Sequence, residues 1–154
     1  MIRTSFRIRL CTALLVLNVI IIWGSSSLPG HISGAISGWL RDLIASWFGG
    51  GGEGDAGHGL LRKLGHFAEF SCLGIFLTWL FAMLKKPVAL TLLCGFSVAC
   101  MDEFIQCFVP NRGPGILDVL LDTAGVVFGL SVLLLGHAIN QKRKNNKIME
   151  ETKL

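Results

Sequence analysis

The sequence predicts an all-α integral membrane protein: a bundle of four transmembrane helices with an amphipathic interfacial helix in the first outer loop. Three observations carry this. Apolar residues make up 52% of the chain and charged residues only 16%, against about 25% charged in an ordinary soluble domain. Mean hydropathy is +0.63, so the chain has too little charge to wet its own surface, and lipid is the better solvent. The apolar residues also fall into four long blocks, each near the roughly 20 residues a spanning helix needs.

The first block follows Arg3, Arg7 and Arg9 and runs from Leu10 to Trp23, closed by Ser25, Ser26 and Ser27. A basic start, a short apolar run and small residues also describe a signal peptide. A span is reached if the helix starts near Phe6 with its arginines snorkelling, and three more spans downstream favour its retention. Pro29-Gly30 breaks the helix. Ile32, Ile36, Trp39, Leu40, Leu43, Ile44, Trp47 and Phe48 then recur at helical spacing, the pattern of a helix lying in the membrane interface or over the protein's own surface. The glycine-rich run 49–59 reads as a flexible linker, with His58 solvated in it. The second span is Leu64 to Leu84 and the third Val88 to Phe108, joined by a tight turn at Lys85-Lys86-Pro87. The fourth runs from Gly115 to Ala138. Residues 5–138 thus form one membrane domain, and 139–154 a charged tail expected to be disordered.

Charge sets the orientation. With four spans, both termini and the 85–86 turn share a side, and that side holds ten of the 14 Lys and Arg residues. The positive-inside rule makes it the cytoplasmic side. The basic residues form short runs between apolar blocks, not a face interleaved with aromatics, so no nucleic-acid partner is expected. The five cysteines include no C-x-x-C pair, which supports neither a zinc knuckle nor a redox motif.

This topology brings three polar groups to one membrane level. Lys63, His66 and Glu69 open the second span at three-residue steps, so neighbours stack along one stripe. Asp102, Glu103 and Gln106 close the third span. Arg112 lies in the loop, and Asp118 and Asp122 open the fourth span. Polar groups at membrane depth are costly and are seldom kept without a partner or a task. Five carboxylates face Arg62, Lys63 and Arg112, a formal −2 with His66 neutral. Protonation, a charged His66, a bound cation or a cationic substrate would balance it. Gly125 and Gly129 form a small-xxx-small pair that lets another helix approach the fourth.

Plainer readings stand beside these. Asp102 or Glu103 can pair with Arg112 simply to hold the loop. Gln106 is a natural helix-end hydrogen-bonder, Lys63 a membrane-edge anchor, and Asp118 a partner for the helix dipole. Asp122, one turn deeper, is less well explained that way. His66 and Glu69 have the i, i+3 geometry found among metal ligands, and the sequence leaves metal and cofactor open. His31 and His137 read as polar helix ends.

The pairing of K-x-x-H-F-x-E (63–69) with D-E-x-x-Q-x-x-x-P-x-R (102–112) and a following D-V (118–119) resembles the VanZ-like proteins, small bacterial membrane proteins associated with reduced sensitivity to teicoplanin. The resemblance covers roughly residues 5–138. It places the family's polar positions on Lys63, His66, Glu69, Asp102, Glu103, Gln106, Arg112 and Asp118. The family usually has Asn one turn after the last Asp, where this chain has Asp122. The resemblance implies a multi-pass protein of the bacterial cytoplasmic membrane and cell envelope, and assigns no reaction.

Two functional expectations follow. In the first, an outward-facing pocket built by the second, third and fourth spans binds an amphiphile, a lipid-linked wall precursor or a lipoglycopeptide such as teicoplanin. Lys63, Gln106, Arg112, Asp118 and Asp122 would be the binding groups. In the second, the protein is a membrane-embedded hydrolase or transferase acting on a lipid or wall substrate. His66 with Glu69 or Asp102 would then be an acid/base pair, with Glu103 beside them. No serine is expected in the cluster, the nearest being Ser71. A third possibility is a structural cluster in a protein that acts through a partner. Membrane lipids are the expected surroundings, a homodimer is left open, and the apolar inner halves of the spans argue against a channel.

Overall fold

The computed structural model describes residues 2–36, 38–39 and 56–151. Its long helices are α1 (Ile2–Ser26), α2 (Ala56–Met83), α3 (Ala89–Gln106) and α4 (Ile116–Glu151). Each contains a stretch long and apolar enough to cross a membrane, and no strand occurs among the described residues. The exterior confirms the setting. Ile20, Phe96, Phe128 and Leu135 are exposed, while Asp102, Glu103 and Asp122 are buried. This is the reverse of a water-soluble protein.

Local chemistry sets the helix ends. α1 stops before Pro29, because a proline disfavours helical backbone in the residue ahead of it. α2 ends with Lys85 in the left-handed region, φ 53°. The Lys86 N–H then reaches back to the Phe81 carbonyl at 2.8 Å, the six-to-one closure of a Schellman turn. Pro87 prevents the helix from resuming at once, giving the tight turn expected from the sequence.

α2 and α3 form the middle of the bundle, and α1 and α4 each pack on both. Ile22, Phe70, Leu73, Leu77, Ala99 and Val126 make the buried apolar core. The closest approach is between α2 and α4. A Cβ on Gly129 would fall on the Ser71 carbonyl oxygen, and one on Gly74 on the Val126 carbonyl oxygen; one on Gly125 would lie 2.8 Å from the Phe67 carbonyl oxygen. The predicted Gly125/Gly129 pair therefore does serve a helix contact, and Gly74 answers it from the other side.

Two boundaries differ from expectation. α2 begins at Ala56, so the end of the glycine-rich run is already helical. α4 continues through the charged tail to Glu151 instead of giving way to disorder. Between Ala138 and Glu151 there is no Gly or Pro, and Gln, Lys, Arg and Glu are good helix formers. Of the interfacial helix, residues 30–36 and 38–39 are helical. The remainder, 40–48, lies outside the described residues, as does most of the linker.

Candidate functional site

The α2 stripe is divided among its neighbours. Lys63 Nζ lies 3.4 Å from Asp118 Oδ1 at the start of α4. One turn deeper, His66 Nδ1 stands 3.9 Å from Asp102 Oδ2 on α3. Another turn deeper, Glu69 faces α1, with its Oε2 3.4 Å from Ser25 Oγ. A period of three drifts slowly around a helix, so one stripe meets α4, α3 and α1 in succession.

Asp102 is the most enclosed group, with none of its side chain exposed. Its Oδ2 accepts hydrogen bonds from Ser26 Oγ at 2.7 Å and Gln106 Nε2 at 2.9 Å. The Gln106 amide also lies 3.4 Å from Ser26 Oγ, which closes a small ring. The i, i+4 spacing of Asp102 and Gln106 is thus used within α3 itself. Glu103, the next residue, turns toward the loop. Its Oε2 accepts the Gly115 N–H at 2.7 Å, just ahead of α4, where negative charge also meets the positive end of the helix dipole.

Neither acid pairs with Arg112, contrary to the plainer expectation. Arg112 Nη2 instead donates to the Ser25 carbonyl at 3.3 Å and to Ser33 Oγ at 2.8 Å. The loop is held by Glu103 through Gly115, and by Gly30, whose N–H donates to the Pro110 carbonyl at 3.3 Å. A Cβ at Gly30 would come within 2.5 Å of the Asn111 carbonyl oxygen. Asn111 itself has φ 59°, a region that Asn tolerates better than most residues.

These contacts correct two expectations. The site is not built by α2, α3 and α4 alone, because α1 delivers Ser25 and Ser26 into it. A serine does stand in the cluster, since Ser26 is bonded to Asp102, while Ser71 is occupied with the Phe67 carbonyl at 2.6 Å. The residues after Trp23 read as an ordinary polar helix end. The signal that would have found them is positional: Ser25 and Ser26 fall at the same membrane level as Asp102 and His66.

Two hollows open on this level. The smaller has about 10 Å³ of room and is lined by Arg62, Lys63, His66, Glu103, Gln106, Asp118, Leu121 and Asp122. The larger has about 230 Å³ and is lined by Ser25, Ser33, Arg62, His66, Glu69 and Arg112 among others. His66 and Arg62 border both. Of the residues expected to act together, His66, Glu103, Gln106 and Asp122 line the small hollow, and Asp102 sits against His66 and Gln106. Glu69 and Arg112 face the larger one, and Lys63 and Asp118 form an ion pair at the rim. His66 and Glu69 share the lining of the larger hollow, while His66, Asp102 and Asp122 bring one ligand atom each within 4.8 Å of the others.

Several buried polar atoms here have no hydrogen-bond partner among the described residues: His66 Nδ1, Asp102 Oδ1, Glu103 Oε1, and Nε and Nη1 of Arg112. Buried polar atoms are seldom left so. Burial, and then the charge of Arg62, pull the Arg112 pKa below its ordinary value. The guanidinium stays charged at neutral pH, and an anion beside it would restore what burial removes.

Four apolar spans and a polar cluster enclosed at one end of the bundle define a multi-pass helical membrane protein with a site at the membrane level of its helix ends. A model of the VanZ/LLP1 family matches residues 10–137. The chain belongs to that family. No curated protein and no solved structure matches it.

Proposed function

We propose that this protein binds the anionic head group of an amphiphile in the larger hollow, on the outer face of a bacterial cytoplasmic membrane, with both termini in the cytoplasm. The supporting observation is Arg112. Two of its three nitrogens are buried without a partner while it lines a hollow of about 230 Å³. Its third nitrogen is pinned by Ser25 and Ser33, so the guanidinium is held in place for a phosphate or carboxylate. Arg62 adds charge, and Glu69 offers an acceptor for an amine or hydroxyl of the ligand. The exposed apolar helix faces leave the ligand's chains in lipid. A lipid-linked wall precursor supplies phosphate, and a lipoglycopeptide supplies carboxylate and amine; either would tie the site to envelope function or glycopeptide resistance.

The test is native mass spectrometry of the full chain with three amphiphiles: a lipid-linked precursor, a teicoplanin-type lipoglycopeptide and a neutral lipid of matched chain length. Retention of one anionic amphiphile, lost in Arg112→Met, supports the reading. Equal retention of the neutral lipid, or no loss in Arg112→Met, refutes it.

One observation favours a second reading, a hydrolase or transferase acting on the same class of amphiphile. His66 borders the larger hollow and stands 3.9 Å from Asp102, which Ser26 and Gln106 hold in place. That arrangement suits a general base oriented by a carboxylate. Release of a cleaved or transferred head group by the reconstituted protein, abolished in His66→Gln, would favour it. Intact ligand after prolonged incubation would favour binding alone.

A further inference from the structure

Around the small hollow, which Arg62 and Lys63 also line, the formal negative charge exceeds the positive. Asp102, Glu103 and Asp122 are 0%, 6% and 2% exposed. Among the described residues no Lys or Arg lies within ion-pair distance of any of them; the one ion pair of the cluster's cations is Lys63 with Asp118 at the rim. Carboxylates buried without a counter-charge are strongly disfavoured.

Their hydrogen bonding is one-sided. Asp102 Oδ2 is fixed by Ser26 and Gln106 while Oδ1 has no partner. Glu103 Oε2 is fixed by Gly115 while Oε1 has no partner, and this residue walls the hollow. His66 Nδ1 has no partner either. Asp102 and Glu103 are thus each oriented through one oxygen and keep the other free, which is how second-shell contacts position metal ligands.

Two atoms bound to one ion at about 2.1 Å can be at most about 4.2 Å apart. The His66, Asp102 and Asp122 ligand atoms lie within 4.8 Å of one another, so side-chain rotations of well under an ångström each bring them onto one centre. His66 and Asp122, two of the three, line a hollow of about 10 Å³, the size of a single water or ion centre.

We propose that His66, Asp102 and Asp122, with Glu103 beside them, hold one divalent transition-metal cation of the Mn²⁺ or Zn²⁺ type. One imidazole and several carboxylates, without a thiolate, suit these ions. The imidazole argues against Mg²⁺ and Ca²⁺, which prefer oxygen alone. This inference goes beyond the head-group reading and does not depend on it, since that reading rests on Arg112 and the larger hollow.

The test uses the full chain in lipid nanodiscs, stripped with chelator and titrated with Mn²⁺ under electron paramagnetic resonance, with Zn²⁺ as competitor. One Mn²⁺ per chain, displaced by Zn²⁺ and showing the nitrogen coupling of an imidazole ligand, is the expected result. Asp122→Asn and His66→Gln should each weaken it at least ~100-fold, and Ser26→Ala ~10–100-fold as a second-shell loss. Glu69→Gln, on the other hollow, should leave it unchanged. No Mn²⁺ retained above protein-free nanodiscs would overturn the proposal, as would bound Mn²⁺ without nitrogen coupling, or an equal loss in Glu69→Gln. The unaltered protein alone decides the first two outcomes, so a variant that fails to fold does not rescue the idea.

Discussion

Replacing Ser26 by alanine tests whether α1 supports Asp102 or merely lies beside it. The substitution removes the 2.7 Å hydrogen bond to Asp102 and leaves that oxygen with Gln106 alone. Hydrogen bonds to charged groups contribute about 1.5–3 kcal/mol in soluble proteins, whereas side-chain bonds between membrane helices average about 0.6 and reach about 1.7. Ser26 and Asp102 are both completely buried, so no solvent can replace the lost donor. The upper end of the membrane range applies, about 1.5 kcal/mol. The asymmetry of the pair gives the sharper reading. Removing Asp102 as well, in Asp102→Leu, takes away the group that needs the donor, and Ser26→Ala should then cost about 0.5 kcal/mol or less. The assay is reversible unfolding in mixed micelles followed by tryptophan fluorescence, read as a double-mutant cycle. Coupling of about 1 kcal/mol is expected. Coupling below about 0.3 kcal/mol, the level of independent sites, would show that Ser26 does not support Asp102 and would leave α1 in the site through Ser25 alone.

Two further predictions concern the frame around it. Gly129→Ala places a methyl group on the Ser71 carbonyl oxygen, with Ile75 N at 3.0 Å; backbone cannot yield as a side chain can, so a loss of about 1–3 kcal/mol is expected. Gly136→Ala meets nothing within 4 Å and should leave the same unfolding midpoint unchanged or raise it; equal effects of the two would refute the close α2–α4 approach. Lys63→Ala breaks an ion pair whose lysine side chain is 49% exposed, so unfolding should shift by less than about 1 kcal/mol; a larger loss would mean that the rim pair is a structural clamp.

Hydropathy located the spans because lipid imposes a length and a composition that survive in the sequence. Helical spacing placed Lys63, His66 and Glu69 on one stripe, and alternating topology put that stripe level with Asp102 and Asp118. What it could not supply is which neighbour each residue meets. Glu69 and His66 look like a pair in sequence, yet α1 takes one and α3 the other, because the packing angle decides. Arg112 looked like the natural partner of an acid, but the Gly115 N–H is nearer to Glu103 and the Ser25 carbonyl is nearer to Arg112. Ser25 and Ser26 carried no pattern of their own, since serine at a helix end is ordinary and only the tertiary level makes it informative. Gly74 was passed over because its counterpart on α4 lies far along the chain.

The Ser26–Asp102 bond joins residues separated by 76 positions, and that distance bears on how the protein is made. As the chain emerges, α1 precedes α3 by two helices. A serine can wait at little cost by donating a hydrogen bond to its own helix, as Ser25 does to the Ile22 carbonyl at 2.9 Å. A carboxylate has no proton to lend. Asp102 therefore enters the membrane after its donor is already there, whereas Glu103 must wait for Gly115, twelve residues behind it. The first helix acts as a resident host for the costliest residue that follows. An equally apolar helix without the Ser26 hydroxyl would insert as readily and leave Asp102 with Gln106 alone.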